Sequence, residues 1–96
     1  MRQYFVYLMA NKKNGTLYVG VTSDLIQRVY QYKEGYVEGF TQKYGLKMLV
    51  YYEIHDDIYT AITREKNIKR WKRLWKLRLI EEKNPYWQDL YPQLLG

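Results

Sequence analysis

Near the start of the chain, two short runs rich in β-forming residues, 3–9 (QYFVYLM) and 16–21 (TLYVGV), flank the turn chemistry of Asn11-Lys12-Lys13-Asn14-Gly15. The pattern predicts a β-hairpin with a somewhat long loop. Its alternation constrains the fold more than any other feature. Val6 and Leu8 on the first strand, with Leu17, Val19 and Val21 on the second, form an aliphatic set, whereas Tyr7 and Tyr18 have the opposite parity. Successive strand side chains point to opposite faces, so an aliphatic set that shares the core face drives both phenols together onto the other.

The remainder reads as helices around a third strand. Thr22-Ser23-Asp24 offers caps, with Asp24 and Gln27 spaced like a capping box, and predicts a helix over about 24–34. Gly35 and Gly39 punctuate the next stretch before a short helix at 40–44, and residues 47–54 (KMLVYYEI) read as a strand. After His55-Asp56-Asp57 a helical pattern runs from Ile58 to at least Arg73, continuing or kinking towards Lys83, and Asn84-Pro85 ends it. Residues 86–95 predict a short terminal helix that docks Trp87, Leu90 and Tyr91. No repeat, low-complexity tract or linker divides the 96 residues. The expectation is one α/β domain of the α+β kind over 1–96, a small three-stranded antiparallel sheet flanked by helices.

Cysteine is absent, which removes disulfides, thiolate nucleophiles and thiolate zinc sites, and fits a reducing cytoplasm. The lone histidine, His55, cannot build a histidine-rich metal site and is expected in loop or capping duty. A bound metal would therefore be a hard cation held by oxygen, such as Mg²⁺ or Mn²⁺. The N-terminus runs straight into a strand rather than a signal peptide, and no apolar run approaches the ~20 residues of a membrane span. Soluble and cytoplasmic is the expectation.

The formal net charge is +6, and much of the base is concentrated: Arg64, Lys66, Lys69, Arg70, Lys72, Arg73, Lys76 and Arg78 stand against one acid, Glu65. Such a density attracts polyanions through counterion release; the alternative is a solvated helix face. Three tryptophans and twelve tyrosines accompany the charge. Aromatics mixed with Arg and Lys can stack on bases, although the Trp71 and Trp75 pair, four apart on a helix, reads as packing rather than as a stacking platform.

Glu65 is the sharpest anomaly. On its helix Ile58, Ala61, Ile62 and Ile68 form the apolar stripe, and Glu65 falls near the middle of it. A carboxylate there requires a partner: either a salt bridge to an arginine or a hydrogen bond to a tyrosine, or a metal ion at the floor of a cleft. In the first helix Leu25, Ile26 and Val29 face the core, with Arg28 and Tyr32 one turn apart on its border. A guanidinium there either grips a phosphate and stabilises charge developing in phosphoryl transfer, or forms a salt bridge, for instance to Glu65. Asn84 is an ordinary helix stop whose amide can also reach a phosphate. The chain has no Gly-rich phosphate loop, HExxH motif or Ser-His-Asp set.

Read in order, Tyr7 closes Phe5-Val6-Tyr7, Tyr18-Val19-Gly20 follows after ten residues, Arg28 stands ten positions beyond Tyr18, and Glu65 lies on a later helix. This constellation resembles the GIY-YIG nuclease superfamily, and within it the small stand-alone bacterial domains in which GTLYVGVTSDL-like and REKxIKxW-like segments recur. The resemblance covers essentially the whole chain. It implies an endonuclease that hydrolyses phosphodiester bonds in DNA with one divalent ion, Mg²⁺ or Mn²⁺. It implies that Tyr7 deprotonates the attacking water, Tyr18 orders the site, Arg28 binds the scissile phosphate, Glu65 holds the metal, and Gly20 permits close approach. An ordinary phenol titrates near ~10, so a tyrosine base needs positive charge beside it. Arg28 and the metal would supply that charge.

Phe5 and Val6 replace the Gly-Ile of the first triplet, at little chemical consequence. Tyr32 stands where many members carry histidine; tyrosine also occurs there in the excision-repair branch, without an imidazole proton relay. Lys33, Lys69, Arg70, Lys72, Arg73 and Asn84 are the expected nucleic-acid contacts, with Asn84 farther from Glu65 than the family's late asparagine. A domain this small, without a partner domain, is expected to be structure-directed or weakly sequence-specific. The competing readings are a nucleic-acid-binding domain of the same fold with little or no cleavage, and an interaction domain for an acidic protein.

Overall fold

The hairpin forms with the register its alternation demands. Strand β1 (Tyr4–Ala10) pairs antiparallel with β2 (Leu17–Thr22), so that Val6 opposes Val21, Leu8 opposes Val19 and Tyr7 opposes Gly20. The computed structural model describes residues 2–37 and 39–96. Strand β3 (Met48–His55) adds antiparallel to the far side of β1, giving the order β2-β1-β3 with an irregularity between Leu8 and Met9.

Because β1 is central, both of its faces must be covered. On one face Val6, Leu8, Ala10 and Val19 pack with Ala61, Ile68, Ile80 and Trp87. On the other, Tyr7 and Met9 pack with Leu25, Val29, Tyr32, Leu46 and Leu49. Each fully buried aliphatic or aromatic side chain contributes roughly 1.5–3 kcal/mol.

Helix α1 (Leu25–Lys33) begins where the Gln27 amide donates to Asp24 Oδ1 at 3.1 Å. Its inner stripe is Leu25, Val29 and Tyr32, a helical spacing that leaves Ile26 exposed instead of facing the core. Tyr32 is thereby a core-face residue rather than a border one. A single turn, α2 (Phe40–Lys43), follows. Helix α3 (Ile58–Arg70) is capped by Asp57, whose carboxylate accepts from the Thr60 amide at 2.8 Å.

The long helical pattern breaks rather than continues: Trp71 and Lys72 are both extended, and α4 (Arg73–Lys83) starts afresh. Trp71 packs against the core cluster at the break, and Ile80 of α4 is buried in it. Asn84 ends α4 as expected, its amide donating to Ile80 O at 2.9 Å.

The expected terminal helix shrinks to one turn, α5 (Tyr91–Leu94). Ahead of it, residues 84–90 form a strap along the outer edge of β3. The Leu90 amide donates to Leu49 O at 2.8 Å, the Leu49 amide to Asp89 Oδ1 at 3.1 Å, and Asn84 Nδ2 to Val50 O at 3.0 Å. The strap satisfies the edge that an unpaired strand would expose, and Trp87 is buried beneath it as anticipated. Among the described residues no helix is long and apolar enough to cross a membrane.

Candidate functional site

Tyr7 and Tyr18 share the sheet face opposite the aliphatic set, and Tyr32 reaches down from α1 to join them. The Tyr7 and Tyr32 hydroxyls are hydrogen-bonded at 2.8 Å, either one able to donate, with their rings edge-on at 6.0 Å. The Tyr18 and Tyr32 rings lie 6.2 Å apart. Gly20 is the residue that admits this arrangement: a Cβ there would stand 2.4 Å from Tyr7 Oη and 2.5 Å from Cζ. The glycine is required by a side chain crossing it, not by its backbone angles. Tyr7 is only 1% exposed, while Tyr18 is half-buried, so Tyr18 is the more accessible of the two phenols.

Arg28 projects from α1 over this cluster. Its Cζ lies 5.2 Å from the Tyr32 ring centroid, and Nη1 donates to Gln31 Oε1 at 3.2 Å. No carboxylate among the described residues forms an ion pair with it. Burial pulls the guanidinium pKa down, but Tyr7 and Tyr32 more than offset that and hold it above the ordinary value. Tyr32 is pushed well above the ordinary phenol range, first by burial and then by Tyr7. Tyr32 therefore keeps its proton.

Glu65 is buried among apolar neighbours of α3, as its place in the stripe implies, alongside Ala61 and Ile68. Its partner is neither an arginine nor a tyrosine. Lys69, one turn on, places Nζ 2.6 Å from Glu65 Oε2, with the lysine 46% and the glutamate 11% exposed. The same ammonium lies 5.5 Å from the Tyr18 ring centroid. Glu65 holds Lys69 above the ordinary lysine range. Lys69 thus links Glu65 to the phenols, a role that the i,i+4 spacing on one helix face could have signalled. No group of three metal-ligating side chains occurs among the described residues, so a cation here would rest on one carboxylate plus water and substrate oxygens, a mode Mg²⁺ tolerates.

The expected nucleic-acid contacts divide. Lys33 pairs with Asp89 and donates to Lys47 O at 3.0 Å. Arg73 clamps the hairpin loop, its Nη2 donating to Asn14 O at 2.7 Å and Gly15 O at 2.6 Å. Asn84 is 5% exposed, donating to Val50 O and Gln88 O and accepting from the Gln88 amide. Both of its amide protons are engaged, so it serves the strap and has no donor left for a phosphate. Arg70 and Lys72 are exposed, with no side-chain ion pair or hydrogen bond to a described residue.

A second polar cluster lies between β3 and α3. Glu53 accepts from Tyr51 Oη at 2.6 Å and Arg64 Nε at 3.0 Å and meets His55 Nε2 at 2.5 Å. His55 is thus the last residue of β3 and joins the Glu53 network, rather than serving in a loop or a cap. Burial alone would raise the Glu53 pKa, but Arg64, Tyr51 and His55 together hold it below the ordinary range. A cleft of about 520 Å³ lies farther along β3, lined by Tyr52, Ile54, Lys83, Asn84, Leu90 and Gln93 among others. It holds none of the site phenols or guanidinium. Of its two side-chain amides, Asn84 and Gln93, the first is engaged by the strap.

The family model of the GIY-YIG catalytic domain matches residues 3–78. A UPF0213 protein of Staphylococcus saprophyticus is 33% identical over 82 residues, spanning 85% of this chain and 99% of its own. A UPF0213 protein of Staphylococcus aureus is 35% identical over 83 residues, spanning 86% of this chain and 100% of its own. The solution NMR structure of a UPF0213 protein from Bacillus halodurans shares the fold, with a TM-score of 0.57 at 24% identity, covering 91% of this chain and 92% of that one.

Proposed function

Since this chain belongs to the GIY-YIG catalytic-domain family, we propose that residues 1–96 act as one nuclease domain, an endonuclease that hydrolyses phosphodiester bonds in DNA with a single divalent cation, Mg²⁺ or Mn²⁺. One observation carries the reading: a charged guanidinium, Arg28, stands over three clustered phenols with no carboxylate among the described residues to neutralise it. A guanidinium so placed suits a phosphate, which it grips in bidentate fashion and whose developing charge it stabilises.

In this reading Arg28 binds and polarises the scissile phosphate. Tyr18, more accessible than the buried Tyr7, would take the proton of the attacking water as a phenolate held beside the Arg28 charge, and become a neutral phenol. Tyr7 and Tyr32 form a hydrogen-bonded backing pair that fixes the ring positions; burial favours the protonated form of Tyr32, and Arg28 is the group that favours negative charge on the cluster. Glu65 would hold the metal, which supplies charge stabilisation for the departing oxygen. Arg70 and Lys72 are the basic side chains free to meet the flanking backbone, a sequence-independent contact that favours structure-directed or weakly sequence-specific cutting in a cytoplasmic setting.

The engagement of Glu65 by Lys69 favours a second reading, a domain that binds nucleic acid with little cleavage. Incubation with plain, flapped and branched DNA, with and without Mg²⁺, separates the two. Metal-dependent cuts support the nuclease; salt-sensitive binding without cuts supports the second reading.

A further inference from the structure

The Glu65–Lys69 pair differs from an ordinary i,i+4 surface pair. Such pairs are weak because both partners are solvated. Here the glutamate side chain is 11% exposed and embedded beside Ala61 and Ile68, while its lysine is half-exposed and leans over Tyr18 at the rim of the site. The lysine is thus the counter-charge that makes a buried carboxylate tolerable. It also occupies Oε2, one of the two oxygens through which Glu65 could meet a metal ion. With Nζ 2.6 Å from Oε2, a divalent ion on that oxygen and the ammonium would be like charges within a few ångströms, and they exclude one another.

We propose that Lys69 is the resident counter-ion of Glu65, displaced when the metal binds, and that the freed ammonium is then taken by a backbone phosphate of the nucleic acid. This inference rests on the metal role assigned to Glu65 above. Metal and polyanion therefore load the site together: each removes the lysine on behalf of the other, and by linkage the help is mutual. Before nucleic acid arrives, Lys69 keeps the metal site weak and guards a buried carboxylate. Once a phosphate is in place, the ammonium has an alternative partner on its exposed side, and the carboxylate becomes available.

The test follows free Mn²⁺ by its EPR signal as protein is added, using the unmodified chain, Lys69→Met, Lys69→Gln, Lys69→Arg and Glu65→Gln, with folding checked by circular dichroism. The two neutral variants are expected to bind Mn²⁺ about tenfold more tightly than the unmodified chain, within the usual range of such couplings. Lys69→Arg stays near the unmodified affinity, and Glu65→Gln loses the site. A phosphorothioate duplex that resists hydrolysis, after subtraction of the Mn²⁺ it binds alone, tightens binding to the unmodified chain by a similar factor and to the neutral variants far less. Equal affinity of the unmodified chain and the neutral variants, no Mn²⁺ bound by the neutral variants, or an undiminished response to the duplex would each overturn the displacement. The first and last of these leave the metal role of Glu65 standing provided Glu65→Gln abolishes binding. Mn²⁺ binding that survives Glu65→Gln overturns both.

Discussion

Two clusters in this molecule are assembled from the same residue types, tyrosine, arginine and glutamate, and reach opposite electrostatic outcomes. Around Glu53, Arg64 and Tyr51 donate directly to the carboxylate, and His55 closes the group. Every charge is matched. On the other sheet face, Arg28 is surrounded by neutral oxygen and aromatic rings, while Glu65, which comes from α3, is matched by a lysine of its own helix. A closed network has nothing left to offer a ligand, whereas an arginine held among phenols retains its guanidinium edge for a phosphate. The difference locates function more sharply than residue identity does.

The largest expected effect breaks or confirms that contrast directly. Arg28→Ala is expected to lower metal-dependent cleavage by ~10²–10³-fold, the usual consequence of removing one electrostatic contact to a transition state, with little change in melting temperature. Arg64→Ala should do the reverse, lowering the melting temperature while cleavage by the folded fraction stays within a few-fold. Parallel gel assays and thermal melts of both variants decide it. Equal loss of activity from both would mean that the closed network also touches substrate.

Gly20→Ala sharpens the geometric side of the comparison. The added methyl would fall 2.4 Å from Tyr7 Oη, so the Tyr7 ring must move and the Tyr7–Tyr32 hydrogen bond with it. Overpacking of this kind costs ~1–3 kcal/mol, and because Tyr7 is buried the strain cannot be relieved into solvent. Stability and cleavage should therefore fall together, unlike in Arg28→Ala. A chemical denaturation midpoint that does not move would show that the ring has room elsewhere.

Much of this was legible from the chain alone. The parity of Tyr7 and Tyr18 against five aliphatic residues required both phenols on one face, and the register places them there. Asp24, Asp57 and Asn84 acted as their local chemistry implied. Three of the departures share a cause, competition from partners distant in sequence. No glycine or proline marks the break at Trp71 and Lys72; it forms because Trp71 and Ile80 both have to reach the core. Helix propensity in residues 86–90 yields to hydrogen bonds with the outer edge of β3. Tyr32 displaced Ile26 from the inner face because Tyr7 offered it a hydroxyl as well as a ring. The Glu65–Lys69 pair is the exception: its spacing of four is local and legible in the sequence, but Lys69 reads equally as one more cation of the basic run 64–78.

Smaller effects are expected when the closed network is opened by protonation. Glu53 has a folded pKa below its ordinary value, so the stability it contributes is fully present above the carboxylate range and is lost as pH falls through that range and below it. Glu53→Gln should cost about 1–2 kcal/mol near neutrality, the lower part of the range for a broken buried hydrogen-bond group because Arg64 remains partly solvated. The difference from the unmodified chain should shrink on acidification. Melting temperatures between neutral pH and pH ~3, a span that brackets the ordinary carboxylate values, test this. A constant difference across that span would show that the carboxylate charge contributes nothing.

The finest distinction lies within the open cluster. Tyr32→Phe keeps the ring that Arg28 and Tyr18 lie against and deletes the hydroxyl hydrogen-bonded to Tyr7. The loss should be ~0.5–1.5 kcal/mol in stability, the net value of one hydrogen bond. Since Tyr32 keeps its proton well beyond the ordinary phenol range, the alkaline limb of the cleavage profile should be unchanged in shape, with only the rate reduced. If that limb moves, Tyr32 is exchanging protons during turnover and is not the backing half of a pair. Tyr18→Phe serves as the counterpart: with its phenol the more accessible, its rate should fall further than that of Tyr7→Phe, whereas Tyr7→Phe, with its hydroxyl buried against Tyr32, should lose more stability.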